Sequence, residues 1–196
     1  MRKGDLTRQS ILEHAAGLAS RVGLGGITIG ALASDLDLSK SGLFAHFDSK
    51  AALQLQVLEH AAARFTEAVI RPALAAPRGE PRLRALFERW RSWPKASGLP
   101  GGCLFVQAAV ELDDQPGPVR DRLVQQQRDL LDVIATVART GVVEGHFRKD
   151  LDPEQLAQEL FGVILAWHHA SRLLREPKAD ARAGAAFEAI VARARR

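Results

Sequence analysis

The sequence predicts an all-α fold of about nine helices: a three-helix helix-turn-helix domain over residues 1–54, then a larger helical domain over residues 55–196. Three observations predict it. Apolar residues recur every three or four positions in segment after segment. Glycine and proline cluster between those segments. No stretch keeps the alternation of a half-buried strand.

The first helix runs from Asp5 to Val22. Ile11, Ala15, Leu18 and Val22 recur at helical spacing, with Leu12 and Ala19 beside them, and Gly23 is placed as its stop. Arg2 and Lys3 precede it as a short basic arm, either a frayed terminus or a reach toward phosphates or a minor groove. Gly25 and Gly26 make a turn. Thr28 is the N-cap of a short helix through Leu36, in which Ala31 and Ala33 are small enough for another helix to come close. Asp37 and Leu38 turn the chain, and Asp tolerates the left-handed conformation that a tight turn wants. Ser39 caps the next short helix. Leu43 and Phe47, four apart, share the face that can be buried, which leaves Lys40, Ser41, Phe44 and His46 pointing elsewhere. Asp48 and Ser49 interrupt this helix and cap another. Lys50 falls in that first turn, where a cation and open N–H groups suit a phosphate.

A long helix follows from Ser49 toward Ile70, with Leu53, Val57, Ala61 and Phe65 on one face. The domain change lies inside it, near Leu55, so the helix is the rigid link. Arg71-Pro72 ends it, and residues 72–81 are loop. Pro81 opens the next helix, striped with Leu83, Leu86, Phe87, Trp90 and Trp93, and Pro94 stops it. After a loop from Lys95 to Gly102, a short helix spans Cys103 to Leu112. Pro116-Gly117-Pro118 punctuates. A long helix then reaches about Thr140, with Leu123, Leu130, Ile134 and Val137 inward, until Gly141 and Gly145 break it. At Asp152-Pro153-Glu154-Gln155 stand an N-cap, a proline at N1 and a Gln at N3 able to close a capping box. Leu156, Leu160, Val163, Trp167 and Leu174 line that helix up to Glu176-Pro177. The last helix carries Ala183, Phe187, Ile190 and Val191, then a basic tail of Arg193, Arg195 and Arg196.

Composition excludes several classes. At 46% apolar and 26% charged over 196 residues, the chain folds around a sizeable core. No apolar run reaches a membrane span, and no secretory signal opens the chain, so a cytoplasmic location is expected. A lone cysteine, Cys103, rules out an internal disulfide framework and a cysteine zinc site. The net charge is +4, but up to His60 the bases Arg2, Lys3, Arg8, Arg21, Lys40 and Lys50 are cancelled by Asp5, Glu13, Asp35, Asp37, Asp48 and Glu59. Any nucleic-acid binding must therefore rest on where Arg2, Lys3, Lys40 and Lys50 point. No nucleophile elbow, P-loop, HExxH or dinucleotide fingerprint is present, so neither an enzyme nor a cofactor is expected. His168 and His169, adjacent on a helix, point about 100° apart and make a poor chelate, so no metal is expected. Cys103, after Gly101-Gly102, is either a small buried hydrophobe or a thiol sensor at a helix start.

The ordered run Leu38, Ser39, Leu43, Phe44, His46, Phe47, Ser49, Lys50, Leu53, with Thr28, Leu32 and Ala33 before it, resembles the recognition segment of the TetR family of bacterial transcription repressors. The resemblance covers the first quarter or so of the chain. Asp37 stands where the family usually has Gly, Gly42 where it often has Thr or Ser, and Phe44 where it usually has a Tyr whose hydroxyl binds phosphate. The resemblance implies a repressor released from double-stranded operator DNA by a small organic effector. It implies DNA contacts at Thr28, Ser39, Lys40, Ser41, Gly42, Phe44, His46 and Lys50. It also implies an effector cavity in the later helices, for which Phe87, Trp90, Trp93, Cys103, Phe105, Trp167 and His168 are the candidates, although each also reads as plain core. A homodimer through the helices Pro153–Arg175 and Lys178–Arg195 goes with it, the long helix from Ser49 serving as lever. Two other readings stand: a helical sensor without operator binding, and a redox switch through Cys103.

Overall fold

Residues 3–96 and 98–195 are described by the structure, a computed structural model, with the side chains of residues 3–7, Phe44 and Ala96 outside that description. The basic arm Arg2-Lys3 and the terminal Arg196 are thereby outside the described residues as interaction sites. Nine helices and no strand occur among the described residues: α1 Lys3–Val22, α2 Ile29–Asp35, α3 Lys40–Phe44, α4 Lys50–Phe65, α5 Glu80–Ala96, α6 Leu104–Leu112, α7 Pro118–Val143, α8 Pro153–His168 and α9 Ala179–Arg195. α4 continues through a π-turn, Thr66–Ile70, into a helical turn, Arg71–Leu74, and α8 continues through a π-turn, His169–Leu173.

The described chain divides into two compact units. One comprises Met1–Phe65 with Pro94–Gln125. In it α1 buries Ile11, Ala15, Ala16 and Ala19, and α4 buries Leu53, Val57, Leu58 and Ala61. The alanines let these two helices pack closely. Polar pairs fix the register at either end: Arg8 donates to Gln56 Oε1 at 3.0 and 2.7 Å, and Arg64 to Glu13 at 3.1 Å. Leu24, Ile27, Leu32, Leu43 and Phe47, all fully buried, form the core beneath the short helices. Val22, expected on the buried face of α1, is 52% exposed because the buried stripe follows Ile11, Ala15 and Ala19.

The other unit comprises Thr66–Trp93 with Gln126–Arg196. α8 and α9 pack on each other through Leu156, Leu160, Ile164 and Trp167 on one side and Ala183, Phe187, Ile190 and Val191 on the other. Phe87 stacks on Phe187 with ring centroids 4.1 Å apart. The buried Glu80 accepts from Arg84 at 2.7 Å and from Arg195, and Arg84 also grips Glu188 at 2.5 and 2.9 Å. The hydrogen bond from Arg195, ahead of that from Arg84, holds the Glu80 carboxyl below its usual range despite burial.

Several boundaries depart from the sequence expectation for local reasons. Pro72 does not end the helix: the π-turn resets the hydrogen-bond register, so Pro72 falls in the first turn of Arg71–Leu74, where no N–H is required. Pro94 lies within the last turn of α5, and the helix ends at Ala96 rather than at the proline. α7 runs past Gly141 to Val143, and the glycine is there because a Cβ would enter the Phe147 ring. Asp152 caps α8 as expected, accepting from Glu154 N and Gln155 N at 3.0 Å each. The capping box does not close, since the Gln155 amide donates to Glu159 at 3.1 Å instead. Leu174, expected on the inner face of α8, lies beyond the π-turn and is 62% exposed.

Candidate nucleic-acid interface

Two capped helices and one left-handed residue build the interface. Thr28 is extended, at φ −130° and ψ 151°, and its Oγ1 accepts from Ala31 N at 3.0 Å. α2 ends at Asp35 with Leu36 as its C-cap, and Asp37 takes φ +53°, which turns the chain within two residues. Leu38 N then closes back on Ala33 O at 2.9 Å. Ser39 caps α3 by accepting from Gly42 N at 3.0 Å, and its hydroxyl lies 3.2 Å from that of Ser41. Leu43 and Phe47 are fully buried, so α3 is pinned by its inner face. Lys40, Ser41 and Gly42 are exposed at its N-terminal end. The Lys40 chain passes over Gly30, where a Cβ would lie 3.6 Å from its Cε. The Phe44 side chain is outside the described residues.

His46 is half-buried, its ring centroid 6.3 Å from that of Phe47. Ser49 caps α4 by accepting from Ala52 N at 3.1 Å. Lys50 is exposed, yet its ammonium is already engaged: it donates to the Gly25 carbonyl at 2.6 Å. Its remaining N–H groups are what it could offer a phosphate. Thr28, Ser39, Lys40, Ser41 and Gly42 are thus brought to the ends of two adjoining helices, while Lys50 stands where α4 meets the turn after α1. Sequence reasoning missed Arg8, whose guanidinium sits 5.9 Å from the Phe47 ring while bonding Gln56. It also missed Glu111, which accepts from Leu24 N at 2.7 Å and from Gly25 N. Nothing local marks either contact.

The candidate effector residues fall in both units. Cys103 and Phe105 belong to the first. Cys103 is buried at the N-cap of α6, and burial pushes its thiol up despite backbone N–H groups of Val106 and Phe105. Phe105 meets Phe65 edge-on at 6.3 Å. Phe87, Trp90, Trp93, Trp167 and His168 belong to the second, where Trp90 tilts against Phe161 at 5.8 Å and Trp167 Nε1 donates to Asp180 at 2.8 Å. The four aromatic residues are buried. Burial, then the charges of Arg172 and His169, hold the half-buried His168 below the usual imidazole range. One residue absent from the sequence reading joins them in that unit: neither Oε1 nor Nε2 of Gln126, both buried, has a partner among the described residues. No group of three or more metal-ligating side chains occurs among the described residues.

Residues 11–57 match the family model of bacterial regulatory proteins of the tetR family, and residues 79–187 match that of the tetracyclin repressor-like C-terminal domain. The structure is similar to that of a TetR transcriptional regulator from Chloroflexus aurantiacus J-10-FL, 26% identical over 98% of this chain and 96% of that one, with a TM-score of 0.85. It is also similar to a TetR-family regulator from Cytophaga hutchinsonii, 19% identical over 98% and 96% of the two chains, with a TM-score of 0.84. AibR, solved with isovaleryl coenzyme A and operator DNA, is 22% identical over 92% and 97% of the chains, with a TM-score of 0.72. No protein of curated function matches the sequence. With the second family model alone spanning more than half of its length, the chain belongs to the TetR family of bacterial transcriptional regulators, DNA-binding proteins and not enzymes.

Proposed function

We propose that this regulator is a repressor that binds operator DNA through α2 and α3 and leaves it when a small organic effector binds. The observation that carries the reading is the pair of capped helices about a left-handed Asp37, which leaves Lys40, Ser41 and Gly42 exposed at the start of α3. A recognition helix uses its N-terminal residues on base edges and its surroundings on phosphates. Lys40 and Ser41 serve the first role, the small Gly42 admits a thymine methyl or the backbone, and Thr28, His46 and Lys50 serve phosphates. Ser39 holds the helix end in shape. In functional terms residues 1–54 read DNA and residues 55–196 sense and dimerise.

The effector is a small organic molecule with an apolar part and a hydrogen-bonding group; AibR, a protein of the same fold, was solved with the acyl thioester isovaleryl coenzyme A. Gln126 supplies the unpaired amide for such a group, and Trp90, Trp93, Trp167 and His168 supply apolar and neutral polar surface in the same unit. A buried thiol pushed up by burial is a poor redox sensor, which disfavours the Cys103 switch. The working form is a cytoplasmic two-fold dimer. Leu165, Leu173 and Leu174 stand 37%, 71% and 62% exposed along α8 and just beyond it, and a Cβ at Gly162 would face open space. That face suits the partner subunit. No described helix is long and apolar enough to cross a membrane.

Linkage sets the response: an effector that favours wrongly spaced recognition helices weakens DNA binding by the factor by which DNA weakens effector binding. Footprinting on the DNA upstream of the chain's own coding region tests the reading. Two protected half-sites related by a two-fold axis and about one helical turn apart are expected. A single unpaired footprint, or none, contradicts it.

A further inference from the structure

The turn between α1 and α2 is held from two sides. Glu111, on α6, accepts from Leu24 N at 2.7 Å and from Gly25 N. From α4, Gln54 Nε2 donates to Leu24 O at 2.8 Å and Lys50 Nζ to Gly25 O at 2.6 Å. Two consecutive residues, Leu24 and Gly25, thus have both backbone donors and both backbone acceptors engaged by three side chains. The local sequence makes room for this. Gly23, at φ +80°, and Gly25 flank the contact, and a Cβ on either would collide with the Glu111 carboxylate.

A second weld lies at the other end of the same segment. The Gly101 N–H donates to Ser20 Oγ at 2.9 Å, and Ser20 is fully buried. Gly101 crosses the Ser20 backbone so closely that no Cβ fits. Residues 101–111 therefore grip the end of α1 and the turn after it at two points, consistent with their grouping in the same compact unit as the short helices. Thr28, the cap of α2, follows Gly25 by three residues, so the direction in which the α2–α3 pair leaves α1 is set by this turn.

We infer that Glu111 is a positioning residue for operator binding: it touches no DNA, but by fixing the Leu24 and Gly25 peptides it fixes the orientation of α3. The inference rests on the operator reading above. It carries a sign that charge alone does not. Removing an acid from a DNA-binding protein should, by charge, tighten its grip on phosphates. Removing this one should loosen it.

The test is E111Q in the full-length protein, with V110A on the same helix as control, since Val110 is 74% exposed. Glutamine keeps one acceptor oxygen but turns an amide N–H₂ toward the second backbone donor. Operator affinity is expected to fall about tenfold, the scale set by losing one charge-assisted hydrogen bond. The dependence of log affinity on log salt should stay unchanged, because no phosphate contact is lost. Exchange of the Leu24 and Gly25 amide hydrogens should accelerate, and V110A should match wild type in all three. Selective wild-type binding with E111Q equal to or tighter than wild type, and with unchanged amide exchange, overturns this inference alone. Wild-type protein without selective DNA binding overturns the operator reading as well.

Discussion

The Gly42 N–H donates to Ser39 Oγ at 3.0 Å, and a Cβ placed on Gly42 would stand 3.0 Å from that same oxygen. Cap and glycine fit each other at the end of α3, where phosphates are expected to approach. Ser39→Ala should cost about 1 kcal/mol of stability through the lost cap. Ser39→Asp keeps a capping oxygen but adds a negative charge beside the DNA. It should melt at the wild-type temperature and bind operator at least about tenfold more weakly. Thermal melts and fluorescence anisotropy on the same samples separate the two effects.

Asp37, at φ +53°, occupies a conformation that costs an L-residue roughly 1–2 kcal/mol and glycine almost nothing. Asp37→Gly should therefore raise stability by up to about 1 kcal/mol, and Asp37→Val should lower it by more than that. Urea unfolding midpoints at constant slope would show both changes.

Gln126 buries an amide without partners among the described residues. Replacing it with Leu should stabilise the ligand-free protein by about 1–3 kcal/mol, the usual cost of an unpaired buried polar group. The same change should weaken the effector response. Thermal melts with and without an effector found by screening would check both, and a destabilised Q126L protein would show that the amide is paired.

Stability should fall with pH in two windows. Burial, then Arg64, holds His60 below its ordinary value of 6.5, against an opposing pull from Glu13, and His168 is lowered as well. A lowered folded-state pKa means that the unfolded chain takes the proton first. The stability these histidines contribute is present above about pH 6.5 and is lost as pH falls through their folded values. Glu80, held down by Arg195 and Arg84, adds a second loss below its ordinary 4.5. Urea midpoints should drop between pH 7.5 and 5.5, and a His60→Gln, His168→Gln double variant should flatten that drop. A midpoint constant over this range would contradict the assignment.

The parts of the fold written in local chemistry were legible in the sequence. Thr28, Ser39 and Asp152 are caps because a short oxygen-bearing side chain precedes an apolar period, and Asp37 is the residue between two helices that best tolerates a left-handed turn. The π-turn at Thr66–Ile70 was not legible, since Pro72 announces a stop and only tertiary packing selects the register that accommodates it. The Gly25 partner of Lys50 and the Leu24 partner of Glu111 join residues far apart in sequence, and no spacing rule reaches that far. The same limit applies to Gln126, whose isolation is a property of its surroundings and not of its neighbours in the chain.

The most direct test of the central claim is anisotropy binding to promoter DNA of the chain's own gene and to scrambled DNA across a salt series, for wild type and Lys40→Ala. The account predicts selective binding by wild type with a steep salt dependence, and a smaller preference for promoter over scrambled DNA for Lys40→Ala, whose ammonium is assigned to a base edge. Weak binding, equal on both DNAs and indifferent to Lys40, would contradict it.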